Sequence, residues 1–142
     1  MTTQVANIRW MVRRDLPEIL RWELDTPGGW DEARIIQHMQ QSNCIARVVE
    51  IGDTPIGFAV YRLLPNSIRL LRVSIHPAHR RQGHGRRLMG ILMRLCQSHR
   101  RKRLTARVRE NALSAQLFFR ACGFHGTLKG NQIRFRWNVP QE

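Results

Sequence analysis

A change of hydrophobic period in the middle of the chain restricts the possible folds more than any other sequence feature. The segment IRLLRVSI, residues 68–75, has the composition of a strand, and after a short basic loop Leu88, Leu92 and Leu95 recur at helical spacing. The segment LTARV, residues 104–108, is again typical of a strand. A strand, a helix and a strand in this order predict a crossover connection within one sheet.

The rest of the chain supplies further strands and helices around this crossover. The alternation of Ile8, Trp10 and Val12 predicts a first strand, and Asp15 and Asp31 have the positions of N-caps for two helices. The predicted order is strand, helix, helix, three strands, helix, strand, helix, strand, an α+β layout in a single domain over residues 1–142. The remaining predicted segments are CIARVVEI, IGFAVYRLL and IRLLRVSI as a meander, ALSAQLFFRACGF as a helix ended by Gly123, and IRFRWNV as the last strand.

The loop RRQGHG, residues 80–85, joins the end of a strand to the start of a helix. Backbone N–H groups at a helix N-terminus are unpaired and attract anions. Gly83 and Gly85 would let an oxygen-rich ligand approach the backbone, and Arg81 or Arg86 would neutralise a pyrophosphate there. An ordinary turn with a solvated basic surface is the alternative. The sequence has neither a P-loop nor a dinucleotide-binding fingerprint.

The positive charge of the chain is concentrated after residue 53. Residues 1–53 carry six Lys/Arg and eight Asp/Glu, whereas residues 54–142 carry eighteen and two, so net charges of −2 and +16 give the total of +14. A basic region of this strength attracts nucleic acid, the ribosome or a phosphorylated cofactor. It disfavours cationic small-molecule substrates.

Composition also limits the compartment and the use of metals. Cys44, Cys96 and Cys122 are far apart and odd in number, which predicts buried apolar thiols rather than disulfides or a metal site. No apolar run is long enough to span a membrane, and the first residues lack the apolar core of a signal peptide. We therefore expect a cytoplasmic protein without a membrane partner.

Two motifs resemble the GNAT superfamily of acyl-CoA N-acyltransferases. RVSIHPAHRRQGHGRRLMGILM, residues 72–93, resembles its acetyl-CoA-binding segment, whose signature [QR]-x-x-G-x-[GA] is matched by Arg80, Gly83 and Gly85. VRENALSAQLFFRACGF, residues 108–124, is similar to the second signature of the superfamily. The resemblance implies a mixed, mostly antiparallel sheet flanked by helices, with a splayed strand pair that holds acetyl-CoA. Within the superfamily, the chain most resembles the RimI-type ribosomal-protein N-terminal alanine acetyltransferases.

The resemblance also implies which residues bind the cofactor. Backbone groups of Val73, Ser74 and Ile75 would bind the pantetheine arm, and Asn111 would serve as the asparagine that the family uses near the next helix. That position aligns with Ala112, so Asn111 stands one residue early. The residues expected around the pyrophosphate are Arg81, Gln82, Gly83, His84, Gly85 and Arg86.

The catalytic residues of the RimI type are not repeated in this sequence. Where that type has a glutamate base and a tyrosine acid, this chain has Arg107 and Phe119. Glu50 is a candidate base acting through water, and Tyr61 is a candidate acid. Their alternatives are an exposed strand end for Glu50 and a core position for Tyr61. The histidines around the loop are expected to contact phosphate or solvent: His76, His79 and His84.

The sequence leaves two functions of different classes open, besides a small-molecule acetyltransferase, which the charge disfavours for cationic amines. The first is acetyl-CoA-dependent acetylation of an amine, with a protein or peptide N-terminal α-amine, including a ribosomal one, as the acceptor. The second is a module of low activity that binds CoA and docks on RNA or the ribosome through its basic half, including residues 100–103. Acidic residues of the first third could attract the ammonium end of a peptide or could be ordinary surface charge: Glu23, Asp25, Asp31 and Glu32.

Overall fold

The computed structural model describes residues 5–141, which form a seven-stranded sheet and four helices. The sheet has the order β1-β2-β3-β4-β5-β7-β6, and only β4 and β5 run parallel. The strands are β1 Ala6–Trp10, β2 Cys44–Ile51, β3 Thr54–Leu63, β4 Ser67–Ile75, β5 Arg103–Arg109, β6 His125–Lys129 and β7 Gln132–Asn138. The helices are α1 Leu16–Glu23, α2 Glu32–Met39, α3 His84–Ser98 and α4 Leu113–Ala121. The predicted mixed, mostly antiparallel sheet flanked by helices is confirmed.

The helices cover the two faces of the sheet unequally. On one face, Leu88 and Leu92 of α3 and Phe119 of α4 pack into a core that reaches β7 through Phe135. On the other face, α1 and α2 bury a second cluster against β2 and β3, and this cluster contains no residue of β5, β6 or β7. One face of the sheet is therefore covered along most of its width, and the other only over its first half.

The strands β4 and β5 separate after a short paired stretch. Their pairing ends at Leu70 and Ala106, although β4 continues to Ile75 and β5 to Arg109. On its other edge, β4 pairs with β3 through a register shift that leaves Leu71 without a partner, which is a β-bulge. The bulge bends β4 where the two strands part, so a gap opens between them.

The strand β6 was not predicted from the sequence. It pairs with β7 in a hairpin whose turn consists of Gly130, with a φ of +61°, and Asn131. All five residues of β6 are exposed, so the strand has no alternation of buried and exposed positions. The two-residue Gly-Asn turn is the one signal that could have indicated it.

Two features of the first third also differ from the prediction. Asp31 caps α2 as expected, since its carboxylate accepts from the Arg34 N–H at 2.8 Å. Asp15 has the N-cap position of α1 as predicted, but its side chain does not cap the helix, because its carboxylate accepts from Arg9 and from the N–H of Val12. The first strand is present, but it ends at Trp10, whose side chain is 62% exposed.

The buried carboxyl of Asp15 makes stability depend on pH. Burial by itself would raise the pKa of Asp15, but hydrogen bonds from Arg9 and from the Val12 N–H outweigh it and hold that pKa below its ordinary value. The lowered pKa stabilises the folded state above about pH 4, and this stabilisation is lost as the pH falls through the folded-state pKa.

We therefore predict that Asp15→Asn lowers the free energy of unfolding most at neutral pH. Urea unfolding at steps from pH 7 to pH 2 should show the difference from wild type shrinking below about pH 4, because protonation of Asp15 then removes from the wild type the charge that the Asn variant lacks at every pH. Asp25→Asn changes an exposed carboxylate and is the control. A difference that stays constant with pH would contradict the role of the Asp15 charge.

Candidate functional site

The glycine loop lies beside the gap and leads directly into α3. After β4, a short 3-10 turn spans Pro77–His79, and α3 then begins at His84 with Gly83 as its N-cap. The first helical hydrogen bond runs from the Arg87 N–H to the Gly83 carbonyl at 3.0 Å. The N–H groups at the first positions of α3 therefore have no acceptor within the helix and are available to an anion.

The two glycines of the loop are required for different reasons. Gly83 has a φ of +86°, which side chains rarely adopt, and a Cβ built there would have no atom within 4 Å. Gly85 instead packs on α4, since its Cβ would lie 2.9 Å from the ring of Phe118. Open space for a ligand is thus found at Gly83, whereas Gly85 allows α3 to approach α4.

The cationic side chains of the loop divide into two groups. Arg80 donates to the Ile75 carbonyl at 3.0 Å and Arg87 donates to the Ala6 carbonyl, so both hold the loop to the sheet. The side chains of Arg81 and Arg86 are exposed, and their guanidinium groups make no hydrogen bond within residues 5–141. These two guanidinium groups can therefore turn towards an anion bound at the helix N-terminus.

Three histidines follow one another around the loop. His76 accepts from the Ala78 N–H, and its ring lies 5.7 Å from that of His79, which in turn lies 6.5 Å from that of His84. Burial lowers the pKa of His84, and the positive charges of His79 and Arg87 lower it further. The His84 ring therefore favours its neutral form, and it does not add a fixed charge to the loop.

The edge of β4 that faces the gap presents backbone groups. The His76 N–H donates to the Ile56 carbonyl of β3, and backbone groups alternate in direction along a strand. Val73 and Ile75 therefore point their backbone groups into the gap. Ser74 points its backbone to β3 instead, which corrects the expectation that its backbone binds the pantetheine arm. The Ile75 carbonyl accepts from Arg80, which leaves the Val73 groups and the Ile75 N–H facing the gap.

Asn111 lies in the turn between β5 and α4, one residue before the N-cap Ala112. Its side chain is exposed and makes no hydrogen bond among the described residues. The contact between Gly85 and Phe118 brings α4 against the start of α3. Asn111 thus precedes the helix that packs on the start of α3, about two turns before the contact at Phe118.

A buried carboxylate at the end of α1 was not predicted to be part of the site. Glu23 is 0% exposed, and Arg72 of β4 donates to its two oxygens at 2.7 and 2.8 Å. The Ser74 hydroxyl and the Trp30 N–H donate to the same carboxylate, and Trp22 donates to the Ser74 hydroxyl at 3.0 Å. This network ties the segment between α1 and α2 to the part of β4 that borders the gap.

The burial of Glu23 corrects the expectation drawn from its charge. A carboxylate with four donors and no exposure cannot attract the ammonium group of a peptide, nor is it ordinary surface charge. Asp25, Asp31 and Glu32 are exposed, so both interpretations, attraction of a peptide ammonium group and ordinary surface charge, stay open for them. No sequence signal distinguished Glu23 from them, because its partners Arg72 and Ser74 are about fifty residues away.

Each of the two candidate catalytic groups outside the family positions is bonded to an arginine. Glu50 of β2 pairs with Arg9 at 2.8 Å and lines a surface cleft with Arg14 and Asp53, and β3 separates its strand from β4. Tyr61 is 0% exposed, and its hydroxyl accepts from Arg47 at 2.9 Å. This geometry favours the core position for Tyr61 and an ion-paired position for Glu50.

The two family positions for base and acid are occupied as the sequence indicates. Arg107 is the first residue of β5 beyond its pairing with β4, and its side chain is exposed. Phe119 is buried between the rings of Phe124 and Phe135. Neither residue can take a proton from an amine, so these two positions supply no side-chain acid or base.

Other groups give little sign of further chemistry. Cys44 and Cys96 are buried and free, and burial raises the pKa of the Cys96 thiol to about 11. Within residues 5–141 no three His, Cys, Asp or Glu side chains come together in a way that could hold a metal. No helix in that range is long and apolar enough to cross a membrane.

Comparison with known proteins identifies the class to which this fold and site belong. Residues 9–124 match the model of the Acetyltransferase (GNAT) family, which uses acetyl-CoA, and the chain therefore belongs to the GNAT acetyltransferase family. The sequence matches no curated protein.

Solved structures share the fold at low sequence identity. The ribosomal-protein-S18-alanine N-acetyltransferase from Escherichia coli has a TM-score of 0.83 at 17% identity, covering 97% of this chain and 96% of that one. Ard1 from Thermoplasma volcanium has a TM-score of 0.83 at 20% identity, covering 96% and 99%. The PaiA N-acetyltransferase from Thermoplasma acidophilum, solved in complex with coenzyme A, has a TM-score of 0.78 at 15% identity, covering 94% and 99%.

The loop geometry predicts that Gly83→Glu abolishes acetyl-CoA binding. The new carboxylate would repel a bound pyrophosphate, and a side chain at a φ of +86° adds strain. Isothermal titration with acetyl-CoA measures the loss. Gly130→Glu is a matched control, since Gly130 also has a positive φ of +61° and open space but lies in the hairpin of β6 and β7. Unchanged affinity in Gly83→Glu would count against the loop as the binding site.

The Glu23 network predicts a large stability effect from a small change. Glu23→Gln leaves the guanidinium of Arg72 without its buried counter-charge, so the free energy of unfolding should fall by about 3 kcal/mol or more. Glu18→Gln, which breaks the exposed Glu18–Arg21 pair at 3.3 Å, is the control and should cost less than about 1 kcal/mol. Chemical unfolding compares them, and similar losses in both variants would contradict the importance of the buried pair.

Proposed function

We propose that this protein is an acetyl-CoA-dependent N-acetyltransferase whose acceptor is the α-amine of a protein or peptide N-terminus. The observation that carries the proposal is the parting of β4 and β5 next to an anion-binding helix start, in a chain that belongs to the GNAT family. The proposal takes residues 1–142 as one N-acetyltransferase domain that works in the cytoplasm.

The residues around the gap suit an acyl-CoA ligand. The unpaired N–H groups at the start of α3, together with Arg81 and Arg86, provide for a pyrophosphate. The gap edge of β4 provides for an arm with amide groups, which can bond to Val73 and Ile75 as an added strand would. Gln82, Gly83, His84, Gly85 and Asn111 complete the proposed cofactor site, and Ser74 is left out of it because its backbone faces β3 and its hydroxyl is bonded to Glu23. Acetyl-CoA bound there supplies the activated acetyl group as a thioester.

The protein then contributes orientation and polarisation rather than proton transfer by side chains. Backbone N–H groups on the gap edge of β4 are placed to polarise a carbonyl, which is electrostatic stabilisation. A CoA thiol resembles cysteine, with a pKa near 8.5, and leaves as a thiolate without a strong acid. Phe119 and Arg107 supply no acid or base, and such a site does not require them to, because holding the two reactants together is itself a large contribution to the rate.

The lack of a base favours an α-amine over a lysine. An α-amine of pKa about 8 is ~10% neutral at pH 7, whereas a lysine of pKa about 10.4 is ~0.04% neutral. Without a base, only the neutral fraction reacts, so an α-amine has an advantage of a few hundredfold. The E. coli structure is named for acetylation of an alanine of ribosomal protein S18. At 17% identity the comparison supports the fold, and a ribosomal acceptor stays part of the proposal.

The test is to incubate the protein with isotopically labelled acetyl-CoA and a cell extract and to search for label by mass spectrometry. We expect label on protein N-termini and little on lysines. Label mainly on lysines would show that a base exists and would contradict the α-amine assignment. No label with intact acetyl-CoA binding would favour the alternative of a CoA-binding module.

The same argument predicts the pH dependence of the rate. With a peptide α-amine as acceptor, kcat/KM should rise about tenfold for each pH unit below about pH 8 and level off above it, following the neutral amine. Initial rates from pH 6 to pH 9.5 on one peptide measure this. A plateau that begins below pH 7 would contradict the absence of a base.

A further inference from the structure

The exposed half of the sheet carries a surface rich in arginine. On β5, Leu104, Ala106 and Val108 point into the core, so Arg107 and Arg109, which alternate with them, point to the other face, which α1 and α2 leave uncovered. The alternation on β7 and the neighbouring positions of β3 and β4 place more arginines on the same side. We call this surface the arginine face; it comprises Arg62, Arg69, Arg107, Arg109, Arg134 and Arg136.

The arginine face is under electrostatic strain. Arg62 stands directly opposite Arg69, and Arg107 stands directly opposite Arg134, and like charges in such pairs destabilise a sheet. Burial lowers the pKa of Arg69, and the charges of Arg107, Arg62 and Arg134 lower it further. The ion pairs within residues 5–141 involve Arg9, Arg21 and Arg72 and none of the six. An anion bound on this face would relieve the repulsion.

The position of the arginine face connects it with acyl transfer. The core under α3 and α4 closes one side of the sheet, so an acceptor can approach the gap from the opposite side, where the arginine face lies. Arg107 is the first residue of β5 beyond its pairing with β4. Arg134 stands opposite it on β7, and the two strands are about 5 Å apart. An extended peptide advances about 3.4 Å per residue, so side chains two to four residues from an acetylated amine would reach these arginines.

We propose that the arginine face binds the acceptor and selects protein or peptide N-termini with Asp or Glu at positions two to four. This inference rests on the proposed function and adds the chemistry of the acceptor. Guanidinium groups pair with carboxylates through two hydrogen bonds, which gives direction as well as attraction. RNA fits less well, because no Phe, Tyr or Trp side chain of the described residues is exposed on this face to stack on bases.

The primary test compares three peptides that begin with alanine and carry Glu, Gln or Lys at positions two to four. Labelled transfer gives kcat/KM for each at low salt and at about 0.5 M salt. The acidic peptide should exceed the Gln peptide by about tenfold or more, as expected for a few partly exposed charge pairs, and salt should reduce the difference. Equal values for the acidic and Gln peptides would overturn the inference while leaving N-acetylation intact.

Variants then locate the preference on the protein. Arg134→Glu should reduce the ratio of acidic to Gln peptide to about one or below. The matched control Arg94→Glu removes an exposed arginine of α3 and should keep the wild-type ratio. A ratio reduced equally by both variants would overturn the assignment to this face, since net charge would then explain it. Arg134→Gln should raise the thermal midpoint, because it removes a repulsion, and a lowered midpoint would contradict the strain.

A binding measurement separates this inference from the proposed function. Fluorescence polarisation with a labelled acidic peptide that is already acetylated measures binding to the arginine face without any turnover. Saturable binding that Arg134→Glu removes supports the face even if no amine is acetylated, whereas no binding at low salt overturns it. A labelled single-stranded RNA of ten nucleotides is run alongside. Tighter binding of this RNA, lost in Arg134→Glu and kept in Arg94→Glu, would overturn the assignment to a peptide.

Discussion

The parting of β4 and β5 is the constraint on which the rest of the site depends. Parallel neighbours joined by α3 would ordinarily pair along their whole length, but pairing stops at Leu70 and Ala106. The bulge at Leu71 turns β4 away while its other edge stays bonded to β3, so the unpaired backbone groups of β4 face open space instead of β5. Unpaired strand edges are costly unless something covers them, and a ligand with amide groups is suited to this one. In this chain, an incomplete sheet thus forms the proposed binding site.

The Glu23 network holds the part of β4 that diverges from β5. The carboxylate at the end of α1 joins Arg72, Ser74 and the Trp30 backbone, so the position of β4 beyond the bulge is coupled to the segment between α1 and α2. A buried ion pair adds little net stability, but loss of one partner is severe, which makes the arrangement specific. The same contacts fix the strand on one side of the gap and the chain segment between α1 and α2.

The arginines of the chain form two separate groups, one at the glycine loop and one on the open face of the sheet. Arginines of the glycine loop lie at the start of α3, where a pyrophosphate is proposed to bind, and the arginines of β5 and β7 lie on the open face of the sheet. The net charge of +14 is a total over the whole chain and does not distinguish these two groups of arginines. Among the family positions, Arg107 belongs to the second group, so the residue that replaces a base in the RimI-type pattern adds to the surface that we propose binds the acceptor.

The sequence by itself determined the order of most elements, the crossover through α3 and the glycine loop, because these depend on hydrophobic period and on residues close in the chain. It did not predict β6, whose five exposed residues have no period, or the separate reasons for Gly83 and Gly85, since the second depends on Phe118 of α4. Tertiary structure alone decided that Glu23 is buried with Arg72, that Tyr61 bonds to Arg47, and that arginines from four strands meet on one face. These contacts join residues far apart in the chain, and only the register of the strands brings them together.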